Sequence, residues 1–153
     1  MRSFCVFAAL LHVADAGAQS PVQQHGALSV AGNRITDCSG SSVSLAGMSL
    51  FWSNTGWGGE AFYNAGAVQS LRNDWGIEVV RAAMGVEDPG GYLPVPRNKA
   101  KVEAVVNAAI QEGLYVIIDW HAHHAEMYET EAINFFTDMA TQFGSYPNVI
   151  YEV

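Results

Sequence analysis

Arg81 needs an explanation before any other residue. It stands inside the apolar stretch 77–84 (IEVVRAAM), and a buried charge without a partner is very costly. Some carboxylate or reacting group must face it. A second polar group, Asp119, Trp120 and His121, closes the apolar stretch 114–120 (LYVIIDW). His123 and His124 follow in the order H-A-H-H. Four-coordinate metal sites need converging ligands, usually from separated segments. In an extended chain His121 and His123 share one side and His124 points to the other, so no metal is expected. Neither a G-x-G-x-x-G turn nor a P-loop follows any apolar stretch, so no nucleotide cofactor is expected either.

The elements that would position these residues read as an α/β fold. A hairpin covers 28–40, turning at Ala31, Gly32 and Asn33. A short strand covers 43–50. A helix over 65–75 places Ala67, Leu71 and Trp75 four apart, on one inward face, and Gly76 ends it. A strand over 77–84 leads into a loop with Pro89, Gly90, Gly91, Tyr92, Pro94 and Pro96. The next helix, 98–111, has Asn98 as its cap, Val102, Val105, Val106 and Ala109 on its buried face, and Gly113 as its stop. A strand over 114–120 precedes a helix over 131–143, with Ile133, Phe136, Ala140 and Phe143 turned inward. A last strand covers 148–153. Strands alternating with crossover helices predict a parallel sheet. In a (β/α)₈ barrel, function gathers where Asp119 and His121 stand, at the C-terminal strand ends.

Composition narrows the function classes. The chain has 153 residues, 15 Asp and Glu against 7 Lys and Arg, and a net charge of −8. That balance excludes a nucleic-acid surface, which needs a basic face. Arg2, the apolar run 4–13 and Ala16-Gly17-Ala18 have the form of a secretory signal peptide, expected over 1–18. The run is too short to span a bilayer, so a secreted product without a membrane anchor is expected. Cys5 would leave with the leader, and Cys38 would then have no partner within the chain.

At these positions the sequence resembles glycoside hydrolase family 5, formerly cellulase family A. Val80-Arg81, Asp119-Trp120-His121 and the stretch NVIYE at 148–152 carry the resemblance. So do LAGMS at 45–49, NTGWGGE at 54–60 and KAKVEAVVNAA at 99–109, which are similar to bacterial endoglucanases of that family. The resemblance implies a (β/α)₈ barrel, a monomer when full length, and hydrolysis of β-1,4-glucan with retention of configuration. Such chemistry uses two carboxyl groups about 5–5.5 Å apart. The family's acid/base Glu follows an Asn at the end of strand four, and its nucleophile Glu ends strand seven. Both would lie beyond Val153. Glu152 would point inward about 13 Å below the acid/base, in a structural role. A barrel takes about 250 residues, so residues 19–153 read as the N-terminal half of a longer domain, inactive by itself.

The resemblance also assigns roles. Arg81 would hold the nucleophile carboxylate ionised, since an adjacent opposite charge lowers a carboxylate's pKa. His121 would donate to the glucosyl unit beside the scissile bond. Trp52, Trp57 and Trp120 are candidates to stack on pyranose rings, with Tyr92 and His124 as further cleft or sugar contacts. A β-mannanase on the same fold is the second enzymatic reading. A half-barrel that binds glucan without cleaving it is the reading from another class.

Overall fold

The computed structural model describes residues 19–153. The expected leader, 1–18, lies outside the described residues. A short helix α1 (Pro21–His25) comes first, then a hairpin of β1 (Ser29–Ala31) and β2 (Arg34–Thr36). After them run β3 (Gly47–Ser49), α2 (Ala65–Trp75), β4 (Val79–Gly85), α3 (Asn98–Glu112), β5 (Tyr115–His121), α4 (Glu129–Phe143) and β6 (Val149–Glu152). Strands β3, β4, β5 and β6 form one parallel sheet in chain order. The sheet is open, with β3 and β6 as its edges among the described residues.

Strand alternation gives this sheet two different faces. Val80, Ala82 and Met84 of β4, with Val116, Ile118 and Trp120 of β5, are buried on one of them. They share a core with Val68 of α2, Val102, Val105, Val106 and Ala109 of α3, and Phe135, Met139 and Phe143 of α4. The opposite face carries Ser49, Arg81, Asp119, His121 and Glu152, in the register Ser49–Arg81–Ile117–Ile150 and Ala83–Asp119–Glu152. Among the described residues, buried helix faces therefore meet one side of the sheet only. That is the pattern of a sheet that rolls, not of one sandwiched between helix layers.

Helix stops follow the glycines. Gly76 (φ 65°) and Gly113 (φ 67°) take the left-handed conformation just past α2 and α3. The N-terminal segment is anchored to the start of β5. The Val22 amide donates to the Gly113 carbonyl at 3.1 Å, and the Tyr115 hydroxyl donates to the Gly26 carbonyl at 2.6 Å.

Four expectations need correction. The first parallel strand is only Gly47–Ser49, not all of 43–50. Trp75 is 70% exposed: steps of four overshoot a helical turn by about 40°, so Ala67 to Trp75 drifts off the buried stripe, which Val68 occupies. Asn98 is not the cap of α3. It is helical and fully buried, and its amide nitrogen donates to the Gly90 carbonyl. The buried face of α4 is Ala132, Phe135, Met139 and Phe143, whereas Ile133 and Ala140 are exposed and Phe136 is half-buried.

The phase of α4 is open to measurement by urea unfolding. Phe135→Ala should cost about 3–5 kcal/mol, as for a large core truncation. Ile133→Ala, at a position 57% exposed, should stay within about 0.5 kcal/mol. Equal losses would contradict the assigned face.

Candidate active site

Arg81 sits mid-strand on the polar face, one register row below Asp119 and Glu152. It reaches up to both. Its Nε donates to Glu152 Oε2 at 2.9 Å and its Nη2 to Glu152 Oε1 at 3.0 Å, a bidentate pair. Nη2 also lies 2.8 Å from Asp119 Oδ2, and Nη1 donates to Ser49 Oγ at 3.2 Å. The hydrogen bond from Arg81 holds the Glu152 carboxyl below its usual range and raises the Arg81 pKa in return. Asp119 is buried, and that burial pushes its carboxyl up against the opposing pull of Arg81 and His121.

His121 Nδ1 lies 2.9 Å from Asp119 Oδ2. Nδ1 also lies 3.3 Å from Arg81 Nη2, and a guanidinium can only donate, so in that contact Nδ1 accepts and the proton of a neutral ring sits on Nε2. The His121 ring meets the Trp52 ring edge-on, with centroids 4.4 Å apart. Trp52 in turn stacks on Trp57, centroids 5.4 Å apart and planes 12° apart. His123 completes the patch, 5.1 Å from Trp52. Trp57 is 41% exposed, so its ring is open to a ligand. Charged cluster and aromatic patch are thus continuous through His121, at the C-terminal ends of β3, β4 and β5.

The loops carrying these rings are laced together. The Lys101 ammonium donates to the Ser53 carbonyl at 2.8 Å and to Thr55 Oγ1 at 3.0 Å. Asn54, fully buried, donates to the Pro89 carbonyl at 3.1 Å. Its side chain lies against Gly85, where any side chain would collide with it. Glu87 accepts from the amides of His123 and His124 at 2.8 and 3.2 Å, tying the loop after β4 to the loop after β5. Glu60 accepts from the amides of Gly56 and Gly58, both at 2.6 Å.

The expected residues divide into two groups. Arg81, His121, Trp52 and Trp57 come together. Trp120 and Tyr92 do not join them. Trp120 is 1% exposed, because strand alternation puts it on the helix side between Asp119 and His121. Tyr92 packs on Trp120 and Phe135 at 5.6 and 5.7 Å, within that same core. His124 is exposed, its Nδ1 3.5 Å from Glu126 Oε1 and away from the patch. Among the described residues no three His, Cys, Asp or Glu side chains converge as metal ligands, and Cys38 is a free, exposed thiol. Glu60, Glu87, Asn54 and Lys101 were not legible from the sequence, since each acts on the backbone of another loop position.

Comparison with known proteins agrees with this geometry. The family model described as Cellulase (glycosyl hydrolase family 5) matches residues 36–153. Endoglucanase Z of Dickeya dadantii is 58% identical over 127 residues, covering 82% of this chain and 30% of its own. A solved structure from Cytophaga hutchinsonii superposes with a TM-score of 0.83 at 51% identity, over 88% of this chain and 43% of that one. The catalytic domain of Thermobifida fusca endoglucanase Cel5A, solved in complex with cellotetraose, gives a TM-score of 0.80 at 29% identity, over 88% and 44% of the two chains. The chain spans about a third or less of the curated relatives it matches.

The Arg81 pair has a pH signature. A carboxyl whose folded pKa is depressed adds stability that is present above its unfolded pKa, about 4.3 for Glu. That stability is lost as pH falls through the lower folded value. Asp119, whose folded pKa is raised, gives the opposite slope: its ionised form is unfavourable, and that cost is relieved as pH falls. Thermal melts from about pH 6 down to about pH 3 should therefore show a shallower acid decline in Glu152→Gln than in the unsubstituted chain. Parallel declines would mean that the Glu152 carboxylate is not held by Arg81.

Proposed function

Since the chain belongs to the cellulase family, glycosyl hydrolase family 5, we propose that these residues form the first four β/α units of a secreted endo-β-1,4-glucanase. The observation that carries this reading is the stacked Trp52–Trp57 pair adjoining Arg81, Asp119 and His121 at the C-terminal strand ends. Barrel enzymes place their chemistry at that end. A pyranose ring offers an apolar face of C–H groups to an aromatic plane, while its hydroxyls seek the polar groups alongside. Export is proposed from the leader pattern over 1–18.

In this reading the reaction is a retaining double displacement, and both carboxyl groups come from sequence outside these 153 residues. The role of the present cluster is to bind and to set charge. A guanidinium has five N–H groups. Glu152 accepts from Nε and Nη2, His121 Nδ1 from the second Nη2 N–H, and Ser49 from one on Nη1. One N–H of Nη1 remains to face a nucleophile carboxylate and keep it ionised. His121, with Nδ1 accepting from Arg81 Nη2, donates to a sugar hydroxyl through Nε2–H. Glu152 is occupied by Arg81 and serves as the anchor of that guanidinium, not as acid or nucleophile.

Two assays test this. The full-length protein should hydrolyse carboxymethyl cellulose faster than mannan; the reverse order would make it a mannanase on the same fold. The 153-residue polypeptide alone should show no turnover. Hydrolysis by it, abolished in Glu152→Gln, would overturn the role given to Glu152.

A further inference from the structure

Trp57 stands in a segment with little of its own to hold it. Gly56 and Gly58 flank it with φ of 92° and 90°, and no atom lies near enough to crowd a side chain at either position. These glycines are required by backbone angle, not by space. A tryptophan between two such residues would sample many positions, and ordering it on binding would weaken the complex. Yet its ring is stacked on Trp52 with planes 12° apart.

Three consecutive amides account for that order. Gly56 N–H donates to Glu60 Oε1 and Gly58 N–H to Glu60 Oε2, each at 2.6 Å, while Trp57 N–H donates to the Asn54 carbonyl at 3.2 Å. Both oxygens of one carboxylate are thus spent on the two residues either side of the tryptophan. The amide bonds hold the Glu60 carboxyl below its usual range, with Lys101 adding in the same sense. Glu60 itself is the second residue of the 3-10 turn Gly59–Phe62. There Gly59 packs under Phe51 and the Trp52 carbonyl too closely for any side chain. The carboxylate is therefore tied to the same loop that carries Trp52.

We propose that Glu60 is a positioning residue: its carboxylate clamps the Gly56–Gly58 amides so that Trp57 is already stacked on Trp52 before sugar arrives. Glu60 touches no substrate. It acts by making the aromatic surface rigid, and it deepens the glucan-binding reading of that surface, on which it rests. An uncharged amide at this position has one acceptor and one donor, so it could keep only one of the two bonds.

The test is made in the full-length chain, with Glu60→Ala, Glu60→Gln, Trp57→Ala and the double variant Glu60→Ala/Trp57→Ala. The readouts are the Gly56, Gly58 and Trp57 indole N–H resonances, cellotetraose affinity and melting temperature. Glu60→Ala should shift all three resonances and weaken cellotetraose about tenfold, the scale of an aromatic face lost from contact. Trp57→Ala should do the same to affinity, and the double variant should add nothing to it. Glu60→Gln, folded and near isosteric, should fall between. Unmoved Trp57 resonances in Glu60→Ala and Glu60→Gln would overturn the proposal. So would additive losses in the double variant. If the resonances move but neither Glu60→Ala nor Trp57→Ala changes affinity, the clamp stands and the glucan-binding reading of Trp57 fails.

Discussion

The bidentate pair between Arg81 and Glu152 constrains everything else in this sheet. A guanidinium in the middle of β4 cannot be left without partners, and its partners come from the other three strands of the sheet: Ser49 on β3, Asp119 on β5, Glu152 on β6. One side chain thereby ties all four parallel strands together on a single face. That face cannot also receive an apolar helix. The helices therefore pack on the other side, where Val80, Ala82, Met84, Val116, Ile118 and Trp120 are buried. Desolvation makes such a cluster weak as a source of net stability. Its value lies in presenting fixed charge on one face of the sheet, at the strand ends beside the aromatic patch.

The loops extend this arrangement outward by the same device. Glu60 and Glu87 each turn a carboxylate on backbone amides at a ring-bearing residue: Glu60 on Gly56 and Gly58 either side of Trp57, Glu87 on His123 and His124. Trp52 lies between those two rings, and His121 meets its edge. Backbone amides are obligatory donors, so a carboxylate that accepts two of them fixes a loop without filling the space a ligand needs. Asn54, Asn98 and Lys101 then join the loops after β3 and β4.

Much of this was readable from residue order, for definite reasons. The buried face of α3 follows from Val102, Val105, Val106 and Ala109, because valine and alanine mark one stripe and polar residues mark the rest. The need for a partner at Arg81 follows from charge alone. Its identity does not, because Glu152 is 71 residues away. Trp120 was misplaced although the signal was present: in a strand it must face opposite to its neighbours Asp119 and His121. On α4, apolar residues cover more than the buried stripe, so Ile133 and Phe136 pull the apparent face one residue away from Ala132 and Phe135. Asn98 resembles a cap by residue type, yet long-range bonds to Thr55 and Gly90 claim its side chain.

The central claim is that the polar face and the Trp52–Trp57 stack receive a β-1,4-glucan. Titrating cellotetraose into the isotope-labelled full-length protein, and following indole and imidazole resonances, tests it most directly. The account predicts shifts at Trp52, Trp57 and His121, with Trp120 and Trp75 unmoved. Shifts centred on Trp120 or Trp75, with Trp52 and Trp57 silent, would contradict it.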